Sequence, residues 1–232
     1  DPDDYFSLNG STHLSEMLKH IGGVREQKGC GICFTSSIRL NGLEGEQTAI
    51  MIDNIPIYGS LSSIYGLNSI PTSMIDRVEI AKGSNSSEFG ADGIAGTINI
   101  ITKNNDRNTP LTIHARLNSH LQGDISITGS YALGPIQTMS SFNYSRNNTF
   151  FDDNNDLFAD EALFDRLSFF TKFSTSINKL DQSLFIKYYY EDRRNGTSEY
   201  LKENNYSTLR GSNQVYGESI YTHRIELIGK ST

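Results

Sequence analysis

The chain has 232 residues, a length that suggests one or two domains, and it carries 20 Lys and Arg against 27 Asp and Glu. The resulting formal net charge of −7 argues against nucleic-acid binding, which needs a basic face that displaces counterions from phosphates. Trp is absent, whereas Tyr and Phe supply 12 residues each and Gly supplies 20. This composition favours an ordered, mostly β protein with polar turns.

No apolar run approaches the roughly 18 residues of a membrane-spanning helix, and the longest are short segments such as 49–52. Hydropathy therefore excludes a helical membrane protein but leaves a β-barrel open, because barrel strands alternate and give a weak signal. The sequence opens at Asp1 without Met, a basic segment or an apolar segment, so no signal peptide is expected within it.

The residues before about 104 predict a small α+β domain. Residues 12–21 predict a helix, because Leu14, Leu18 and Ile21 recur at helical spacing, and the following glycines end it. Short strands separated by Gly and Asn are expected at 37–40, 48–52, 77–80 and 97–102.

After residue 104 the pattern changes to long alternating strands. Apolar and polar residues alternate over 111–117, 125–133, 138–144, 167–173, 184–190 and 219–227. Short turns such as Gly134-Pro135 alternate with long polar loops near 146–164 and 193–214. Strands of about ten residues with these connections are typical of outer-membrane barrels, although a soluble β-sandwich or meander has the same period and stays an alternative.

Both cysteines lie in one segment, Cys30-Gly-Ile-Cys33. One such pair supplies half of a four-ligand zinc site, and the five His are scattered without ligand spacing. A thioredoxin-like role needs the pair at the start of a helix, whereas residues 34–40 look extended. A local structural disulfide is the default in an exported protein, with a soft-metal contact or redox chemistry as alternatives.

The segment from Ile70 to Lys103 is the most informative. Its glycines lack the Gly-x-Gly-x-x-Gly spacing and no Gly-Lys-Ser/Thr follows, so a phosphate-binding loop is not expected. It contains an Ile-Pro pair, IDRVEI at 75–80, a turn over 83–90 and GTINIITK at 96–103. This order closely resembles the plug-domain signature of TonB-dependent outer-membrane receptors.

The resemblance extends upstream in chain order. Residues 14–24 resemble the family's leucine-rich helix, 38–42 its Ile-Arg-Gly strand and 50–57 its Leu-Ile-Asp-Gly-x-Pro strand. The departures are mild, since Phe89 stands where Tyr is usual and Ala95 replaces the first Gly of the last motif.

The resemblance implies a two-part fold. An α+β plug domain over 1–104 is followed by antiparallel transmembrane β-barrel strands over 105–232. Because receptors of this kind have about 22 strands, the five or six strands expected here are an incomplete part of a larger barrel. No catalytic constellation is found, so an enzyme is not expected.

The resemblance also implies a function. A receptor in the outer membrane of a Gram-negative bacterium would import a scarce, bulky ligand of the cobalamin, haem or metal-siderophore class. TonB, with ExbB and ExbD and the proton-motive force, would remodel the plug that occludes the barrel. The implied partners are therefore TonB, outer-membrane lipid and the ligand, without nucleic acid. The alternative is a non-transporting surface subunit that assembles with a partner lipoprotein or secretion machinery.

Two plug loops of the family reach outward to the ligand, and their counterparts here lie near 29–36 and 58–65. The expected ligand contacts are aromatic, apolar and small side chains at Cys30, Ile32, Cys33, Phe34, Tyr58, Ser60, Leu61 and Tyr65. A Cys30–Cys33 disulfide would preorganise the first loop. Packing on the barrel wall is the alternative for each residue.

No cofactor is required, but an acidic loop raises a calcium hypothesis for Asp152, Asp153 and Asp156. An EF-hand is excluded, because Leu157 stands at the required Gly and Leu163 at the terminal Glu. Some cobalamin receptors order early extracellular loops with calcium, whereas a solvated acidic loop is the alternative.

Charges within the plug raise a further expectation. Arg39, Arg77 and Glu79 are expected to form ion pairs between plug and barrel, with solvated charges in a wet lumen as the alternative. Ile98, Ile100 and Val78 are expected in the core.

Overall fold

The computed structural model describes residues 14, 18, 21–28, 36–43, 45–57, 70–83, 93–103, 111–177, 180–202 and 206–231. Its strands in the N-terminal part are β1 (Val24–Lys28), β2 (Ser36–Leu40), β3 (Thr48–Ile52), β4 (Ile55–Pro56), β5 (Ile75–Lys82) and β6 (Gly96–Thr102). The later strands are β7 (Thr112–Leu117), β8 (Gly123–Leu133), β9 (Ile136–Asn147), β10 (Leu163–Ile177), β11 (Leu180–Gly196) and β12 (Gly217–Ser231).

Helical structure is short in the described part of the chain. Two helices, α1 (Ser198–Leu201) and α2 (Tyr206–Leu209), lie between β11 and β12. Leu14 and Leu18 are helical, in agreement with the helix predicted around them. None of the described helices has the length and apolar character needed to cross a membrane.

The strands form three sheets. β1 and β2 pair as an antiparallel hairpin. A four-stranded "small sheet" has the order β4-β3-β6-β5, in which β3 and β6 are parallel. A six-stranded "large sheet" runs from β7 to β12, and each strand pairs antiparallel with its neighbour in sequence.

Aliphatic side chains join the small sheet to the large one. Every residue of β3 is buried, as expected when a sheet is covered on both faces. Ile98 and Ile100 of β6 are fully buried, and Val78 packs against the same cluster. This cluster also contains three residues of the large sheet, Met139, Phe170 and Phe185. The two sheets therefore share one core.

The two faces of the large sheet differ in chemistry. The face that packs on the small sheet, called the inner face, buries polar and charged side chains such as Asn143, Arg166, Lys172, Lys187 and Glu191. The opposite outer face exposes large apolar side chains, among them Ile127, Tyr131, Leu184, Ile225 and Leu227. A water-soluble sheet packs its apolar face inward, so this arrangement is the reverse of the usual one.

The predicted strands are confirmed, with two differences. Residues 24–28 form β1, which no apolar alternation signalled, because the pairing with β2 supplies the order. β11 continues to Gly196, beyond the loop start predicted at 193, because Arg194 and Asn195 pair with Ser219 and Glu218 of β12.

Gly96 is the position at which the small sheet tolerates a side chain least. Its φ is +133°, and a Cβ there would lie 2.2 Å from the carbonyl oxygen of Ala81. We expect Gly96→Ala to lower the free energy of local unfolding of β5 and β6 by about 3 kcal/mol, measured by amide hydrogen exchange. Gly22→Ala is the matched control, because no atom lies within 4 Å of the added Cβ, and equal effects of the two substitutions would contradict the strain argument.

Candidate functional site

The turn between β3 and β4 is the first part of the interface between the two sheets. Asp53 and Asn54 both have positive φ, 48° and 66°, as in the two-residue turns that suit a hairpin. The Asp53 carboxylate accepts hydrogen bonds from the backbone N–H of Thr102, at 2.8 Å, and from its hydroxyl, at 2.7 Å. Asn54 exchanges two hydrogen bonds with Asn99. The turn is thereby fixed to β6.

Two lysines from the inner face reach this turn. Lys172 Nζ of β10 donates to Asp53 Oδ2 at 2.9 Å and to Thr102 Oγ1 at 2.8 Å. Lys230 Nζ of β12 donates to the backbone oxygen of Asp53 at 3.2 Å. The side chains of Lys172 and Asp53 are only 11% and 14% exposed, so water screens this ion pair less than a surface pair.

Hydroxyl groups make a second contact, between the large sheet and the 3₁₀ turn Thr72–Met74 that leads into β5 of the small sheet. Ser73 Oγ lies 2.5 Å from Thr128 Oγ1 of β8 and 3.3 Å from Ser141 Oγ of β9, and these two hydroxyls are 2.7 Å apart. The three groups are neutral. Together with the lysine contacts, they join the small sheet to four strands of the large sheet.

A cleft of about 630 Å³ opens beside the lysine contacts. Its lining includes Asp53, Arg77, Pro135, Lys172, Asp181 and Lys230. Pro135 lies in the short turn between β8 and β9, and Asp181 lies near the short turn between β10 and β11. The cleft therefore lies at the end of the large sheet that carries the short turns.

The inner face also holds charges that are paired within the large sheet. Glu191 Oε1 accepts hydrogen bonds at 2.7 Å from both Arg166 and Arg193, and all three side chains are at most 7% exposed. Nearby on β11 and β12, Glu226 pairs with Lys187 at 2.8 Å and with Arg224. Each carboxylate is thus shared between two cations, so cations outnumber carboxylates in these two clusters.

The connections at the other end of the large sheet fold together as one rim. Ala159 N–H donates to Gly196 O, and Ser198 N–H donates to Leu157 O at 2.8 Å, which ties residues 148–162 to residues 197–202 and 206–216. An apolar cluster fills the space between them: Ala159, Leu163, Tyr200, Leu201, Tyr206, Leu209 and Val215. The turn at 118–122 joins through His120, which lies 3.1 Å from Glu161 and stacks on Phe151.

Tyr206 fixes α2 to the end of β11. Burial raises the pKa of Tyr206, so its hydroxyl stays protonated and donates to Asp192 Oδ2 at 3.1 Å. Arg210 donates to the other carboxylate oxygen at 2.6 Å, and the Arg194 guanidinium lies 4.4 Å above the Tyr206 ring. The rim is therefore held by polar as well as apolar contacts.

Residues 3–97 match the family model described as TonB-dependent Receptor Plug Domain. The N-terminal part of the chain is a TonB-dependent receptor plug. The small sheet is the centre of this plug, and the large sheet resembles the barrel strands of the same receptors. The resemblance that the sequence motifs indicated is confirmed.

Relatives agree with this assignment. The chain is 30% identical over 121 residues to the Vitamin B12 transporter BtuB of Vibrio cholerae, an alignment that covers 52% of this chain and 20% of the relative. The chain thus spans about a fifth of the length of the curated relatives it matches.

Solved structures share the fold. The ferric enterobactin receptor PfeA of Pseudomonas aeruginosa matches with a TM-score of 0.65 and 18% identity, covering 97% of this chain and 37% of the receptor. The siderophore receptor PirA of Acinetobacter baumannii matches with a TM-score of 0.64 and 18% identity, covering 85% of this chain and 31% of the receptor. The antiparallel large sheet is therefore built like the strands of a receptor barrel.

The eight predicted ligand contacts, Cys30, Ile32, Cys33, Phe34, Tyr58, Ser60, Leu61 and Tyr65, lie outside the described residues. The predicted disulfide lies there as well. Because neither of the two loops belongs to the described residues, the ligand contacts and the disulfide stay predictions.

The acidic loop is described, and backbone N–H groups occupy its carboxylates. Asp152 accepts hydrogen bonds from Asp156 N–H and Leu157 N–H, and Asp156 accepts one from Phe158 N–H. Asp153 offers its backbone N–H to Asp160. Among the described residues, no three His, Cys, Asp or Glu side chains come together as metal ligands, and calcium binding stays a prediction.

The predicted ion pairs between plug and barrel need correction. Arg77 pairs with Asp76 at 3.0 Å and with Glu79 at 2.9 Å, and all three side chains are about half exposed on β5. Adjacent charges on one exposed strand satisfy each other, so Arg77 and Glu79 do not bridge to the barrel strands. The pair that does bridge is Asp53 with Lys172. The role proposed for Arg39 stays a prediction.

The sequence contained a signal for this bridging pair. Lys172 lies between Thr171 and Phe173, in a strand whose apolar residues alternate on the other face. A lysine on the polar face of a barrel strand points into the lumen, where a plug carboxylate is its natural partner. The signal for Asp53 was weaker, because an aspartate after a buried strand is also a common turn residue.

Tyr200 is the residue on which the rim depends most. Its ring is buried, and glycines at 196 and 217 leave the space that it occupies. We expect Tyr200→Ala to lower the free energy of local unfolding of the rim by about 3 kcal/mol, while the large sheet stays folded. Because trypsin cleaves only locally unfolded chain, cleavage after the exposed Lys202 and Arg210 should become faster. Tyr216→Ala removes an equal ring that is 61% exposed, and we expect it to leave the cleavage rate nearly unchanged.

Proposed function

We propose that this chain belongs to a TonB-dependent receptor that imports a scarce ligand across the outer membrane. The observation that carries the proposal is the reversed polarity of the large sheet. Its charged inner face packs on the plug, whereas its apolar outer face is left exposed. In water this arrangement is costly, but in lipid it places apolar side chains against acyl chains and polar ones in the lumen.

The height of the apolar outer surface supports a membrane position. On β11, outward side chains are apolar or aromatic from Leu184 to Tyr190, and polar residues Gln182 and Asp192 bound them. The bounding residues Gln182 and Asp192 are ten positions apart, and ten steps of about 3.3 Å, tilted by about 40°, separate them by roughly 25 Å, the height of the lipid-facing band of outer-membrane barrels.

Aromatic side chains mark one edge of this band. Tyr188, Tyr190 and Tyr221 lie there, and the Tyr190 and Tyr221 rings contact each other with centroids 5.7 Å apart. Aromatic girdles occupy the interfaces of outer-membrane barrels. The rim consists of the long connections, and in outer-membrane barrels the long loops lie outside and the short turns lie in the periplasm, so the rim faces the cell exterior.

The edge strands support a closed barrel. β7 and β12 are the outermost strands of the large sheet, and among the strands that the structure describes each pairs with one other. In lipid, unpaired backbone N–H and C=O groups cost several kcal/mol each, so both edges require further pairing. Pairing with additional strands would enclose the plug.

The names of the relatives support a proposal for the class of ligand. The Vibrio cholerae relative is named a vitamin B12 transporter, and PfeA was solved with enterobactin. We therefore propose a cobalamin, haem or ferric-siderophore ligand, and TonB with ExbB and ExbD as the machinery that couples uptake to the proton-motive force.

The test is uptake in the native host. A strain lacking the gene is complemented with the natural full-length protein and grown with cyanocobalamin, haemin or ferric enterobactin as the limiting nutrient. We expect growth on one of them, and we expect deletion of tonB to abolish it. Growth on none, together with co-purification of a surface lipoprotein, would favour the non-transporting subunit instead.

A substitution on the outer face separates the membrane interpretation from a soluble one. Ile225 is 72% exposed on β12 within the apolar band. We expect Ile225→Arg to cost about 2–4 kcal/mol in lipid and to lower the fraction folded into vesicles, measured by the electrophoretic shift of unheated samples. Leu157→Arg, on a rim residue that is 64% exposed, is the control, and equal folding of both variants would contradict a lipid-facing β12.

A further inference from the structure

The contact between Asp53 and the large sheet has the geometry of a retaining clamp. We propose that Lys172 and Lys230 clamp the β3–β4 turn and that the plug moves only after this clamp opens. The proposal rests on the proposed function, because a plug that never moves needs no point of release. Lys172 and Lys230 are positioning residues, and they act on the plug rather than on the ligand.

Asp53 is the centre of this clamp because three groups meet on it. Lys172 binds its carboxylate, Thr102 binds the same carboxylate from within the plug, and Lys230 binds its backbone oxygen. Hydrogen bonds between charged groups are roughly twice as strong as neutral ones. The clamp is therefore stronger than the neutral contact of Ser73 with Thr128 and Ser141.

Electrostatic attraction between the inner face and the plug is not limited to the pair of Asp53 and Lys172. On the last three strands this face carries more cations than carboxylates. The cations are Arg166, Lys172, Lys187, Arg193, Arg224 and Lys230, and the carboxylates are Asp181, Glu191, Glu218 and Glu226. Residues 1–103 contain more acidic than basic side chains. A cationic inner face thus holds an acidic plug, and electrostatic complementarity of this kind fixes the register of two surfaces.

The position of the clamp makes it a point of release. The cleft at the short-turn end reaches Asp53, Lys172 and Lys230, so these groups are accessible from the periplasmic side. A force applied to the plug from that side acts on the clamp early. Because Lys172 also donates to Thr102 Oγ1 at the end of β6, opening the clamp removes a contact from the end of a central strand of the plug.

Hydrogen exchange of the purified full-length protein tests the clamp. Lys172→Gln and Lys230→Gln remove one end of each contact and leave the plug sequence unchanged. The amide of Thr102 reports directly, because it donates to Asp53 Oδ1. We expect about tenfold faster exchange at Thr102 and the β3–β4 turn in Lys172→Gln, a smaller increase in Lys230→Gln and the largest increase in the double variant.

Two further variants make the test specific. Lys172→Arg keeps the charge, and we expect it to restore most of the protection. Lys202→Gln removes an exposed lysine of the rim and should leave exchange in the plug unchanged. Unchanged exchange in the double variant would overturn the clamp. If Lys172→Gln does not fold, Lys230→Gln alone tests the clamp. This variant loses a single hydrogen bond to a backbone oxygen, so we expect it to fold.

Uptake by the unmodified protein, compared with exchange in the variants, separates the clamp from the proposed function. Ligand uptake by the unmodified protein, with unchanged exchange in the double variant, overturns the clamp and supports the function. Accelerated exchange at Thr102, with no uptake of any of the three ligands by the unmodified protein, supports the clamp and overturns the function.

Discussion

The burial of charge on one face of the large sheet is the constraint on which the rest of the structure depends. Buried Arg, Lys and Glu side chains are costly unless each finds a partner, and here they find partners across strands or on the plug. This requirement fixes which face meets the plug. It leaves apolar side chains on the other face, and a lipid environment is the one in which that surface is stable.

The interface between plug and large sheet combines two kinds of contact with different consequences. Met139, Phe170 and Phe185 extend the apolar core of the plug, which holds the two parts together without directional preference. Asp53 with Lys172 and Ser73 with Thr128 are directional, so they fix the orientation of the plug.

The sequence predicted the strands well, because period-two alternation in β8 to β12 and buried aliphatic runs in β3 and β6 are strong local signals. It missed β1, whose five residues contain one apolar side chain and which forms by pairing with β2. It also assigned the plug–barrel ion pair to Arg77, because sequence reports charge but not the neighbour that neutralises it. Adjacent Asp76 and Glu79 neutralise Arg77, whereas Lys172 lies 119 positions from Asp53.

The rim and the clamp lie at opposite ends of the large sheet, and different kinds of contact stabilise them. The rim is held by an apolar cluster and by charged groups around Tyr206, so it presents a preformed surface on the outer side. The clamp lies beside a cleft at the other end, which carries the short turns. A rigid surface loses little conformational entropy on binding, whereas a largely buried ion pair is stable while it is closed and gains hydration once its two groups separate. The same strands, β10 to β12, run from one to the other, so a displacement at either end acts on one continuous sheet.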